Sequence, residues 1–137
     1  SYRKTKLKKG EFIYSIKIPL IKGSIFKAYK ISKRFDDDIS SVCGSFNIEI
    51  NKNRIKKIRI AYGGMSEIPK RAKNVEKILV NSIFSEKIFN KAIKNLDSDY
   101  KPIDDMRASK SYRMEIAKNL LMKCFLEVKS KKILRIN

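Results

Sequence analysis

The apolar residues of this chain recur at every second position in its first half and at helical spacing in its second. That change of period constrains the fold more than any other feature. Side chains alternate between faces along a strand but return to the same face every three or four residues on a helix. Over residues 12–18, Phe12, Tyr14, Ile16 and Ile18 share one face of an extended segment, interleaved with Ile13, Ser15 and Lys17. Pro19 ends it, because proline cannot donate to a ladder. A second strand is expected over 26–32. A third, over 41–50, has Val42, Phe46, Ile48 and Ile50 as its apolar positions. In a fourth, over 56–62, Ile58, Ile60 and Tyr62 alternate with Lys57, Arg59 and Ala61. Asn51-Lys52-Asn53 reads as a tight turn joining the last two into an antiparallel hairpin, since Asn tolerates left-handed backbone. Gly63-Gly64 ends the hairpin.

From Val75 onward the spacing is helical. Val75, Ile78, Leu79 and Ile83 form one stripe. Phe84, Ile88, Phe89, Ala92, Ile93 and Leu96 form a second, with Ser85 as a candidate N-cap. Residues 97–105 carry Pro102 and several acids and read as a loop. A long helix is expected from about Ser109. Its stripe is Tyr112, Ile116, Leu120, Cys124 and Val128, widened by Ala117, Leu121 and Phe125 enough to be buried against a sheet. Strands followed by helices predict an α+β fold: a small antiparallel sheet of three or four strands, backed on one face by about three helices.

Composition narrows the chemistry. The chain lacks histidine, so it has neither the usual general base nor the usual zinc ligand. Its two cysteines, Cys43 and Cys124, lie far apart and suggest neither a disulfide framework nor a paired metal site. The net charge is +19, a balance that raises nucleic acid as a partner. The basic residues are mostly scattered lysines with no arginine-rich stripe, which fits drift towards Lys, Ile and Asn at unconstrained positions better than a binding face. No signal peptide and no membrane-length apolar run occur, so a cytoplasmic protein with no membrane partner is expected.

Single motifs carry little. Gly63-Gly64 lacks the third glycine and the strand–turn–helix context of a dinucleotide site and reads as a turn. Asp36-Asp37-Asp38 could offer oxygen ligands to a hard cation, but lacks the spacing of a calcium loop and reads as solvated. Lys30, within the apolar stretch 26–31, belongs on an exposed strand face unless a groove turns it towards an anion.

Taken in series, the segments resemble a known family. Tyr2-Arg3-Lys4-Thr5, Glu11-Phe12-Ile13 and Ser15-Ile16-Lys17-Ile18-Pro19 resemble the start of the last subdomain in the FAD-binding part of xanthine dehydrogenases. Phe26-Lys27-Ala28-Tyr29-Lys30-Ile31-Ser32-Lys33-Arg34, followed by Asp37-Asp38-Ile39, is similar to that family's flavin-side strand and acidic turn. Ala61-Tyr62-Gly63-Gly64-Met65 is similar to its Gly-Gly-Met segment. Pro102-Ile103-Asp104-Asp105-Met106-Arg107-Ala108-Ser109, then Ser111-Tyr112-Arg113 and Ala117-Lys118-Asn119-Leu120-Leu121, resembles the bacterial small-subunit form. The resemblance covers nearly the whole chain, in order. The unit it identifies is the CO dehydrogenase flavoprotein C-terminal domain, whose small antiparallel sheet and three helices agree with the periodicity.

The resemblance implies the C-terminal part of a xanthine dehydrogenase small subunit. In that family hypoxanthine and xanthine are oxidised at a molybdenum cofactor on the large subunit. Electrons pass through two [2Fe–2S] clusters to FAD, which reduces NAD+. Carried over by position, Ile13 and Lys30 are the cofactor-binding residues, and Asp36, Asp37 and Asp38 form a loop beside the flavin where charge affects NAD+ access. Phe35 departs from the family, standing where many relatives carry a second basic residue. The glycine-rich loops that hold FAD and the iron–sulfur cysteines do not occur in this sequence. The start at Ser1 is that of a longer polypeptide. Residues 1–10 are then a linker from an upstream FAD-binding region, 11–128 the domain, and 129–137 a basic, frayed tail. The implied partners are the upstream FAD and iron–sulfur domains and the molybdenum subunit. A basic nucleic-acid-binding domain and a purely structural subunit-docking module are the competing readings.

Overall fold

The computed structural model describes residues 4–19, 22–34 and 38–134. Four strands, β1 (Ile25–Ile31), β2 (Val42–Asn51), β3 (Arg54–Gly63) and the two-residue β4 (Lys70–Arg71), form one antiparallel sheet in sequence order. Three helices follow: α1 (Lys73–Leu79), α2 (Glu86–Ile93) and α3 (Lys110–Ser130), with a 3-10 turn at Leu96–Ser98. This is the α+β arrangement that the periodicity predicts.

The β2–β3 hairpin shows how the sequence produces it. Lys52 and Asn53 both have positive φ, 46° and 59°, as a two-residue type I′ loop requires. The register slips between Glu49, which faces Lys57, and Ile50, which faces Ile55. Lys56 is therefore the extra residue of a bulge. The bulge explains why Ile55 is buried along with Ile58, Ile60 and Tyr62 although it breaks their alternation. On β2 the residues turned inward are Val42, Gly44, Phe46 and Ile48.

The helices cover that inward face. Tyr29, Phe46, Tyr62 and Tyr100 stack across it with ring centroids 5.8, 5.6 and 5.5 Å apart, tilted or edge-to-face. A Cβ at Gly44 would meet the Tyr62 ring at 3.0 Å and the Phe46 ring at 3.1 Å, so glycine makes room for the row. The Tyr62 hydroxyl donates to the Ala117 carbonyl of α3 at 2.7 Å, tying sheet to helix. Burial pushes the Tyr62 phenol well above its ordinary value, so it remains a donor. Both cysteines are free; Cys124 is buried, and burial together with the nearby Glu127 carboxylate pushes its thiol up to about 12.

Three expectations change. Residues 12–18 form no strand: Phe12, Ile13, Tyr14, Ile16 and Ile18 lie in an arm without regular secondary structure and are 67–90% exposed. Alternation supplies a face but no partner, and an unpaired strand has neither ladder nor core. The strand expected over 56–62 forms as β3, and the sheet gains the short β4 in place of 12–18. The first helix stops at Leu79, and Ile83 forms an isolated bridge with Arg54. α1 lacks a side-chain cap at Ala72; the distant Asp99 substitutes, accepting from Asn74 N and Val75 N at 3.0–3.1 Å. Finally, Lys129 and Ser130 belong to α3, Lys131 ends the helix with φ 55°, and Leu134 N donates to Glu127 Oε1 at 3.1 Å. The start of the basic stretch is thus folded back rather than frayed.

Candidate functional site

The β1–β2 connection and the segment before α3 meet beside the C-terminal ends of β1 and β3. Asp38 organises the connection. Arg34 N and Ile39 N donate to its carboxylate at 3.2 and 2.9 Å, and the Arg34 guanidinium lies 3.5 Å away. These contacts, led by the Arg34 N–H, hold the Asp38 carboxyl below the usual carboxylate range. At the base of the connection Ser41 N donates to the Ile31 carbonyl at 2.8 Å.

The second wall is a capping structure. Ser109 is the N-cap of α3 and accepts from Tyr112 N at 3.2 Å. Asp104 accepts from Lys110 N at 2.7 Å, and Asp105 from Arg107 N and Ala108 N at 2.8 and 3.1 Å. The two walls are bridged: Lys33 Nζ donates to the Met106 carbonyl at 2.8 Å, and Ser41 Oγ to the Arg107 carbonyl at 3.3 Å.

Arg113 joins both walls to the sheet. It sits in the first turns of α3 and is only 3% exposed. Nη2 donates to Asp105 Oδ1 at 2.5 Å, and Nη1 to the carbonyls of Gly64, at 3.0 Å, and Ser41. Asp105 is held below its usual range, first by the Arg107 N–H and further by Arg113. Gly64 makes this approach possible. Its φ is +80°, and a Cβ there would lie 2.3 Å from the Ser41 carbonyl oxygen and 3.1 Å from Arg113 Nη1. The glycine pair read from sequence as a turn is thus two different residues, because Gly63 would meet only Cys43, at 3.8 Å.

Between the walls lies a hollow of about 470 Å³, lined by Lys33, Arg34, Asp38, Ile39, Ser41, Met106 and Arg107. Its volume falls within the range of about 300–1,000 Å³ common to small-molecule sites. Ile39 and Met106 are 64% and 83% exposed and present apolar surface. Lys33, Arg34 and Arg107 add cations. Such a wall suits one face of a flat, partly anionic ring. Among the described residues it holds no cluster of acids or cysteines able to bind a metal. A second hollow, about 270 Å³ and bordered by Lys70, Asp99 and Tyr100, is structural. Asp99 caps α1, Lys70 Nζ donates to the Asp99 carbonyl at 2.6 Å, and the Tyr100 hydroxyl to the Lys70 carbonyl at 2.7 Å.

Of the residues expected from sequence to meet the cofactor, Asp38 lines the large hollow, while Asp36 and Asp37, with Phe35, lie outside the described residues. Lys30 is exposed on the sheet face opposite the helices, paired across the ladder with Cys43, and does not line the hollow. Ile13 lies on the exposed arm and does not line it either. Met106, Arg107 and Arg113 lie in segments that carry the family resemblance, but neither they nor Ser41 were named from sequence as site residues. For Arg113 a signal existed: it stands four residues before Ala117, on the apolar stripe of α3, and a charge there implies a buried partner. No helix among the described residues is long and apolar enough to cross a membrane.

Comparison with known proteins agrees with this architecture. The glyceraldehyde dehydrogenase medium chain of Sulfolobus acidocaldarius is 33% identical over 125 residues, covering 90% of this chain and 44% of its own. A xanthine dehydrogenase of Dictyostelium discoideum is 31% identical over 150 residues, covering 99% of this chain and 11% of its own. The chain therefore spans less than half the length of these relatives. Among solved structures, a carbon monoxide dehydrogenase from Hydrogenophaga pseudoflava superposes with a TM-score of 0.69 at 20% identity, over 74% of this chain and 35% of that one. Quinoline 2-oxidoreductase from Pseudomonas putida does so with a TM-score of 0.67 at 19% identity, over 80% and 38%. At such identities the structures speak for the fold alone. Residues 27–128, from within β1 through the other three strands and two helices to near the end of α3, match the family itself, and the chain belongs to the CO dehydrogenase flavoprotein C-terminal domain family.

Proposed function

We propose that this chain is the C-terminal part of the FAD-binding region of a xanthine dehydrogenase-type molybdenum hydroxylase, where it forms one wall of the flavin site. Membership of the flavoprotein family over 27–128 carries the reading. The hollow between the β1–β2 connection and the segment before α3 supports it, since it has the size and the mixed apolar and cationic lining for a ring system. The described residues fit a wall and not an anchor, because the sequence has no glycine-rich phosphate cradle. The phosphates of FAD are then held by another part of the flavoprotein.

Within this reading Ile39 and Met106 shield a ring face from water, Lys33 and Arg34 hold positive charge at its rim, and Asp38 sets the shape of the connection. Ile13 and Lys30 would contact the flavin from the arm and the sheet, and Asp36 to Asp38 would shape the approach of NAD+. Bound FAD supplies the exchange between single electrons from iron–sulfur clusters and a hydride to NAD+. The clusters and the molybdenum cofactor belong to partner domains and the large subunit. The substrate proposed, hypoxanthine or xanthine, is the one the sequence resemblance implies, and the relative named xanthine dehydrogenase supports it.

Two measurements test this. The 137-residue chain alone is expected to bind FAD weakly or not at all; a micromolar or tighter complex by fluorescence titration overturns the division into wall and anchor. In the assembled flavoprotein, Met106→Asp and Lys30→Ala are each expected to weaken FAD binding or shift the flavin potential. Unchanged affinity and potential in both variants would overturn the wall.

A further inference from the structure

The arm before β1 is punctuated like a strand but has no strand partner among the described residues. At its head, Glu11 N donates to the Lys8 carbonyl at 3.1 Å and Lys8 N to Glu11 Oε2 at 2.8 Å. Gly10, with φ +86°, occupies the position of that turn where a left-handed residue is needed. At its foot stands Pro19. Between them the alternation is strict: Phe12, Tyr14, Ile16 and Ile18 on one side, Ile13, Ser15 and Lys17 on the other. One side is wholly apolar and the other mixed, the pattern of a strand half-buried in a sheet.

That apolar side is covered by nothing among the described residues. Four large side chains in a row leave apolar surface that soluble proteins rarely expose without a partner. Nor does the arm use the outer edge of β1, the edge strand closest in sequence, since among the described residues β1 pairs only with β2. The comparisons separate the arm from this domain. The family match begins at residue 27, yet the Dictyostelium xanthine dehydrogenase aligns with 99% of the chain, arm included. That relative thus carries the arm outside the segment matched to the family, on a polypeptide several times as long as this chain.

We infer that residues 11–18 are a strand of another sheet: they add to an open edge in the flavin-anchoring portion of the flavoprotein, with Phe12, Tyr14, Ile16 and Ile18 in its core. The inference rests on the proposed role of the chain in such a flavoprotein. Main-chain hydrogen bonds would supply the affinity and the four alternating side chains the register. Ile13 would then lie on the opposite side of the strand, at the seam between the two portions.

Hydrogen exchange read by mass spectrometry tests this on the 137-residue chain and on the flavoprotein in which it is joined to its anchoring portion. Amides of residues 12–18 are expected to exchange at free-chain rates in the chain alone, and on the order of a hundredfold more slowly in the flavoprotein. Tyr14→Asp and Ile16→Asp should each deplete the assembled form, while Ser15→Asp should not. Protection in the chain alone overturns the inference, pointing to the edge of β1 if the chain is monomeric and to a second copy if it is dimeric. Free exchange in a flavoprotein that retains its flavin also overturns it. Protection in an assembled protein that binds no flavin would uphold the strand while removing the flavin reading.

Discussion

The two ends of α3 each bury a charge of the sign its dipole disfavours. A helix N-terminus repels cations and a C-terminus repels anions. Yet Arg113 is buried in the first turns of α3 and Glu127 in the last, each 3% exposed. Their partners differ. Arg113 binds one carboxylate and two main-chain carbonyls, and its Nε finds no partner among the described residues. Glu127 is met by side chains, Lys27 at 3.0 Å, the Tyr29 hydroxyl at 2.9 Å and Lys123 at 3.6 Å, and by Leu134 N. The first arrangement holds loops in place around a hollow. The second fastens the edge strand and the chain end to the helix. Buried charges of similar depth thus do different work, and the type of partner, main chain or side chain, tells them apart.

The largest expected effect tests the Arg113 end through its glycine. Gly64→Ala places a Cβ against the Ser41 carbonyl at a positive φ and should cost about 3 kcal/mol or more. Gly63→Ala, with only an ordinary contact at 3.8 Å, should stay within about 1 kcal/mol. Urea midpoints at unchanged slope measure both, and equal losses would dissolve the distinction.

Arg113→Met should cost about 3 kcal/mol, since it strips the Ser41 and Gly64 carbonyls of a buried donor and leaves Asp105 only its main-chain donors and Arg107. It should also speed amide exchange at Ser41 and over 105–108 while sparing β2 and β3. Uniform acceleration would mean that Arg113 supports the whole fold equally and not the hollow.

Glu127→Gln should cost about 1–2 kcal/mol and reshape the response to acid. Burial acts to raise the Glu127 carboxyl, but hydrogen bonds from Lys27, Tyr29 and Leu134 overcome it and bring it below its ordinary value of 4.5. A carboxyl lower in the folded than in the unfolded state stabilises fully above its unfolded value, and this is lost as pH falls through the folded one. The native chain should therefore lose stability below about pH 4.5, and Glu127→Gln should flatten that limb. Thermal melts across this range check the sign. The Arg113 end should respond at still lower pH, because Asp105 is depressed from 3.8.

The smallest effect is at Lys30. It is exposed, so Lys30→Ala should change the stability of the isolated chain by less than about 0.5 kcal/mol. A larger loss by urea titration would give it a structural role and weaken its use as a flavin contact.

Much of this was legible in the chain. The alternation through Ile60 and Tyr62, the polar turn at Lys52 and Asn53, and Ser109 ahead of a long apolar stripe are local signals, and each became the expected element. The stripe itself turned. Tyr112 is 46% exposed, and the centre of the buried face runs through Ala117, Leu121 and Phe125, because the sheet, α2 and the 3-10 turn surround α3 more widely than one seam would. The site was less legible. Asp38 was found as one of three acids, whereas Ser41, Gly64, Asp105 and Arg113 come from four separate stretches of sequence.

Local sequence determined period, turn and cap, because these depend on residues a few positions apart and on backbone sterics. Only the tertiary structure decided that Asp99 caps a helix 25 residues back from it at Asn74, that the second of two glycines must be a glycine, and that 12–18 remains an arm. Each of these outcomes depends on which distant group arrives to accept a hydrogen bond or cover an apolar face. A pattern of side chains declares the need for such a partner without saying where it will come from.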